Sequence, residues 1–126
     1  MRTLFSLIES PMHPHFSALY QQLGIAEERF TAARKLHKAV QQQPPDFLVG
    51  EFIYGFGNNY AGANVCNLDV TLRALQRFAP AAKVIVLVHP SEAPHVGKLV
   101  ELFPIHAVLP YPVSPQAMQE ALQIPL

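Results

Sequence analysis

The segment Val84-Ile85-Val86-Leu87-Val88 constrains this chain more than any other. It is a run of five consecutive apolar residues, mostly β-branched. That is the pattern of a strand covered on both faces, as in a parallel sheet. Shorter runs of the same kind are Leu4-Phe5-Ser6-Leu7-Ile8, Phe47-Leu48-Val49 with Phe52-Ile53, and Ile105-His106-Ala107-Val108-Leu109. Between them apolar residues recur at helical spacing. Phe16, Leu19, Tyr20 and Leu23 mark one helix, stopped by Gly24. Ala33, Leu36 and Val40 mark a second, stopped by Pro44-Pro45. Leu68, Leu72 and Leu75 mark a third, with Asn67 as its N-cap and Asp69 in its first turn. Val96, Leu99, Val100 and Phe103 mark a fourth, ended before Pro104. Met118, Ala121 and Leu122 mark a fifth, with Ser114 as N-cap and Pro115 at the first helical position. A weak strand over Arg29 to Ala32 completes the alternation.

Strand alternating with helix, five times over, predicts an α/β fold. A five-stranded parallel sheet is covered by helices on both faces, three layers doubly wound as in flavodoxin. Residues 1–126 suit a single domain. Ligands of such folds bind beyond the carboxyl ends of the strands.

Composition narrows the function. Half of the residues are hydrophobic and only 14% are charged, with no net charge and a pI near 7. No Lys/Arg cluster exceeds the pair Arg34-Lys35, so nucleic acid is not an expected partner. The one cysteine, Cys66, excludes a disulfide framework. No apolar run approaches the length of a membrane span. MRTLFSLIESPMH lacks the small-residue cleavage site of a signal peptide, so a cytoplasmic, membrane-free protein is expected. So weakly charged a surface favours a protein partner or self-association.

The chemistry-bearing residues gather near the strand ends. Glu51 closes the greasy run PDFLVGEF, where a carboxylate is costly unless something uses it. Glu9, His13 and His15 follow the first strand, and His89 follows the fourth. Together these offer His and carboxylate donors to a divalent metal. But Pro14 splays His13 from His15, so both read as surface loop residues and no metal site is assigned. His37, His95 and His106 read as solvated or partner-facing. No dinucleotide, P-loop or nucleophile-elbow motif occurs.

QQQPPDFLVGEF resembles the stretch before the phosphoacceptor in response-regulator receiver domains. KVIVLVHPSEAPHVGKLVELFPIHAVLPYPVSPQAMQEAL resembles the whole last third of such a domain, and the likeness runs from residue 3 to 123. Receivers phosphorylate an aspartate at the end of the third strand. Two acidic residues after the first strand hold Mg²⁺, and a Ser/Thr after the fourth strand and a Lys after the fifth bind the phosphoryl oxygens. The resemblance puts the acidic pair on Glu9-Ser10, the acceptor on Glu51, the hydroxyl on Val88 and the lysine on Tyr111. Each position departs from the working pattern. A vestigial pocket is therefore expected, with Glu51 solvated or bonded to Tyr111 or to loop N–H groups. The resemblance also implies a cis Tyr111–Pro112 bond.

The likeness implies a degenerate receiver, not an enzyme and without cofactor. It would act as a phosphorylation-independent protein-interaction module in bacterial signalling or regulation. The alternative is a small ligand- or metal-binding domain, or a weak metal-dependent hydrolase, using the strand-end pocket and the loop at residues 54–67. That loop carries Tyr54, Phe56 and Tyr60 among Gly and Asn, a composition suited to contacts with a partner. The face that receivers commonly use for dimers would offer His95, Lys98, Glu101 and Tyr111, and a two-fold homodimer is expected.

Overall fold

The computed structural model describes residues 2–54 and 67–123. Phe56, Tyr60 and Cys66 lie outside the described residues. The elements run β1 (Arg2–Leu7), α1 (Ser17–Gln22), β2 (Ile25–Phe30), α2 (Ala33–Gln42), β3 (Phe47–Phe52), α3 (Asp69–Phe78), β4 (Lys83–Val88), a 3₁₀ turn (Pro90–His95), α4 (Val96–Leu102), β5 (Ala107–Pro110) and α5 (Pro115–Gln123). All strands are parallel, in the order β2-β1-β3-β4-β5. This is the expected doubly wound, flavodoxin-like α/β sheet.

The pleat divides the core in two. On one face Leu48 and Phe52 of β3, with Val84, Val86 and Val88 of β4, meet Leu36 and Val40 of α2, Leu72 and Leu75 of α3, and Leu99 of α4. On the other, Phe47 and Val49, with Ile85 and Leu87, meet Leu19 and Tyr20 of α1 and Met118, Ala121 and Leu122 of α5. Burial on both faces is why β3 and β4 read as continuous apolar runs. In β3, Gly50 leaves room for α3: a Cβ there would lie 3.0 Å from Leu68 Cδ2.

Four local expectations are corrected. The second strand is Ile25–Phe30, not Arg29 to Ala32. It is an edge strand with one neighbour, so its exposed positions carry Glu and Arg and mute the apolar signal. It begins right after Gly24, whose φ of +72° turns the chain out of α1. The N-cap of α3 is Leu68, not Asn67, whose side chain is drawn into the strand-end site. The fifth strand starts at Ala107, because Ile105 and His106 still belong to the approach from α4. In α4, Val100 and Leu102 are exposed, and only Leu99 of the helix is buried. Other signals hold. Ser114 Oγ accepts the Ala117 amide at 3.0 Å as the cap of α5, and the Tyr111–Pro112 bond is cis.

Candidate functional site

The order β2-β1-β3-β4-β5 reverses at β1/β3, and there the carboxyl ends open a crevice. Glu51, next to last in β3, points into it on the side of α1 and α5 while remaining only 2% exposed. The loop after β1 folds over it. The Glu9 amide donates to Glu51 Oε2 at 2.7 Å and the Ser10 amide at 3.1 Å. The Ser10 hydroxyl donates to Oε1, and the Tyr111 hydroxyl, from the chain just after β5, donates to the same atom at 2.9 Å. A carboxylate offers about four acceptor positions, and the chain's own donors fill them.

His13 completes the enclosure and corrects the reading of it as a surface residue. Pro14 does splay the two histidines: His15 is exposed, and His13 turns inward to 4% exposure. Its Nδ1 lies 3.3 Å from Glu51 Oε2, near enough for attraction but not aligned for a hydrogen bond. Burial by itself would raise the Glu51 pKa. His13, Ser10, the Glu9 amide and Tyr111 outweigh it and hold the carboxyl at about 2. Tyr111 moves the other way: burial, and then the bond and charge of Glu51, keep its phenol protonated far above the ordinary range. Glu9 is raised by burial and by Glu51, against a hydrogen bond from Asn67 that lowers it.

Asn67 is the residue that sequence reasoning misassigned. Its amide nitrogen donates to Glu9 Oε1 and, at 2.8 Å, to the Glu51 carbonyl, while its Oδ1 accepts the Ile53 amide at 2.8 Å. One side chain thus ties the β1 loop to the end of β3 and the start of α3. An Asn before a helix gives the same sequence signal whether it caps the helix or bridges strands.

The structure therefore brings Glu9, Ser10, Glu51 and Tyr111 together. Val88 is adjacent but contributes differently. Its side chain joins the apolar core beneath α2, α3 and α4, and its carbonyl accepts the Tyr111 amide at 2.9 Å. His89 stays local, its Nδ1 accepting the Ser91 amide at 3.1 Å. His37 and His106 are not solvated as expected: one bonds Thr71 Oγ1 at 2.8 Å, the other the Ala121 carbonyl at 3.0 Å. Among the described residues no three His, Cys, Asp or Glu side chains converge on a metal position. The donor set does not fit the Mg²⁺ of receivers either. The acidic pair holds one carboxylate, Glu9, already bonded to Asn67, and Glu51 has no acceptor position left.

Beside the pocket, the outer face of the fourth crossover presents the expected contact residues. Tyr54 stacks on His95 with ring centroids 3.9 Å apart, and Lys98 Nζ lies 5.5 Å from the Tyr54 ring centre. Lys98 and Glu101 are exposed. Tyr111 is half-buried with its hydroxyl turned inward. That ring lines an open groove of about 460 Å³ with Met12, Pro14, His89, Pro112 and Val113.

Comparison with solved structures agrees with this architecture. A response-regulator receiver domain from Clostridium thermocellum superposes with a TM-score of 0.73 at 14% identity, covering 97% of this chain and 91% of that one. A protein described as a response regulator from Chloroflexus aurantiacus gives 0.73 at 11% identity, covering 97% and 94%. A streptococcal protein, from a family described as redox sensors evolved from two-component response regulators, gives 0.74 at 15% identity. There the match covers 97% of this chain and 49% of that one. The chain thus has the fold of a response-regulator receiver domain. No protein-family model matches the sequence, and no curated protein does. Among the described residues no helix is long and apolar enough to cross a membrane.

Proposed function

We propose that this chain is a degenerate receiver, a single domain over residues 1–126 that acts as a protein-interaction module without phosphotransfer or other catalysis. One observation carries the reading: the chain's own donors consume both oxygens of the carboxylate at the acceptor position. A phosphoacceptor needs a free oxygen to attack phosphorus and a cation to neutralise the charge that builds up. Glu51 has neither, and Val88 and Tyr111 supply no hydroxyl in the core and no cation. Glu51 is here a structural lock across β1, β3 and β5. The streptococcal neighbour, from a family described as evolved from response regulators into redox sensors, supports the idea that this scaffold serves other ends.

Incubation with acetyl phosphate and Mg²⁺, followed by intact-mass measurement, is expected to leave the protein at its starting mass. A stoichiometric phosphoryl adduct on Glu51 would overturn the reading. A two-fold homodimer through α4, β5 and α5 belongs to the same proposal, since that face mixes Lys98, Glu101 and neutral glutamines and can pair with itself without like-charge conflict.

The groove beside Tyr111 favours a second reading, a small apolar ligand held against Met12, Pro14 and Pro112. Such a ligand would bind a chain that leaves acetyl phosphate untouched, so the mass measurement leaves the two readings to be separated by ligand titration.

A further inference from the structure

The structure assembles a basic face that the linear sequence hides. Helices α2 and α3 lie side by side on one face of the sheet, joined at their seam by the bond between His37 and Thr71. Five of the chain's nine Lys and Arg residues are on these two helices: Arg34, Lys35, Lys38, Arg73 and Arg77. All five are exposed. Of the nine carboxylates the pair carries only Asp69, which is fully buried. The two helices thus hold a formal excess of +4 on a chain whose net charge is zero. The rest of the molecule is correspondingly acidic.

Among the described residues, no carboxylate lies within ion-pair distance of Arg34, Lys35, Lys38 or Arg77. Arg77 rests over the Phe78 ring at 5.1 Å. Residues 55–66 contain no Asp or Glu that could cover the patch. Like charges gathered on two adjacent helices repel one another, a cost that folding by itself does not repay. An anionic partner does.

We propose that the α2/α3 face docks a short acidic segment of a partner protein. Charge complementarity selects an anion, and the neutrality of the whole chain selects a short one. A nucleic-acid duplex or an anionic membrane extends past a two-helix footprint. It would also meet exposed carboxylates, Glu28 on the edge strand and Asp46 beyond α2. A duplex binder also carries a strongly basic pI, whereas this chain's is near 7. A peptide of a few turns stays within the patch. The exposed glutamines Gln41 and Gln76 add neutral hydrogen-bonding groups there. This proposal rests on the interaction reading above but not on the state of the Glu51 pocket.

The test titrates the full chain into a labelled peptide of repeated Glu-Glu-Ala-Leu, a duplex DNA and phosphatidylserine vesicles, at low and at physiological salt. Saturable binding of the peptide, weakening as salt is added, is the expected result. Arg34→Glu/Lys38→Glu/Arg77→Glu should weaken it by about tenfold or more. The same positions changed to Gln should give an intermediate loss. Arg2→Glu/Lys83→Glu, away from the face, should change it by less than about twofold. The three α2/α3 positions are exposed, so circular dichroism melting should leave each variant folded. Failure of the peptide to bind at low salt overturns the proposal. So does an equal loss in the Arg2/Lys83 control, or tighter binding to DNA or vesicles than to peptide. The acetyl phosphate experiment judges the pocket independently of this titration.

Discussion

Glu51→Gln is expected to lower the folding stability by about 3 kcal/mol, the largest effect of any near-isosteric change at the strand-end site. The amide keeps the size of the carboxylate but loses its charge and turns an NH₂ toward one pair of donors. It must face either the hydroxyls of Ser10 and Tyr111 or the amides of Glu9 and Ser10. Facing the amides, the NH₂ leaves two backbone donors without an acceptor, each costing about 1–3 kcal/mol; facing the hydroxyls, it forces them to turn and accept, and all the charge-assisted bonds to the carboxylate are lost. Ser10→Ala and Tyr111→Phe remove one donor each and leave an acceptor with other partners, so each should cost about 1 kcal/mol. Urea unfolding monitored by circular dichroism measures all three. A Glu51→Gln protein within about 0.5 kcal/mol of the parent, the spread ordinary for surface changes, would show that the carboxylate is not a lock.

Acid should weaken the same lock. The Glu51 pKa is about 2 in the folded chain against the ordinary 4.5. A depressed carboxylate contributes stability that is fully present above its unfolded pKa and is lost as the pH falls through its folded one. The window is therefore pH 4.5 down to about 2, and the contribution lost corresponds to about 3 kcal/mol. Glu9 has the opposite sign, because its raised pKa makes protonation favour the folded state and offsets part of the loss. Subtracting the Glu51→Gln stability curve from that of the parent isolates Glu51. The difference should be constant near neutrality and shrink across this window. A difference that stays flat down to pH 2 would refute the assignment.

Much of the fold was legible because the hydrophobic period speaks directly of burial. Val84 to Val88 and Phe47 to Val49 are covered on both faces, so their neighbours in space cannot change how they read. Caps such as Ser114 and stops such as Gly24 are equally local, each set by one backbone angle or one hydrogen bond. The edge strand Ile25–Phe30 was misplaced because exposure on an edge removes the apolar pattern.

The site divides along the same line. The residue types at the strand ends are read directly off the chain: Glu51 near the end of β3, a single carboxylate and a serine after β1, a valine closing β4 and a tyrosine before Pro112. Through the likeness to receivers, that was enough to expect a pocket that departs from the working phosphoacceptor pattern. What Glu51 bonds to depends on the packed fold, because its partners Glu9, Ser10, His13 and Tyr111 come from segments roughly forty to sixty residues away. His13 read as a loop histidine and Asn67 as a helix cap because local sequence carries no record of what folds over it. The basic face is the same case. Arg34, Lys35 and Lys38 on one helix and Arg73 and Arg77 on the next are two modest groups in the chain, and they come onto neighbouring helices only when α2 and α3 pack side by side.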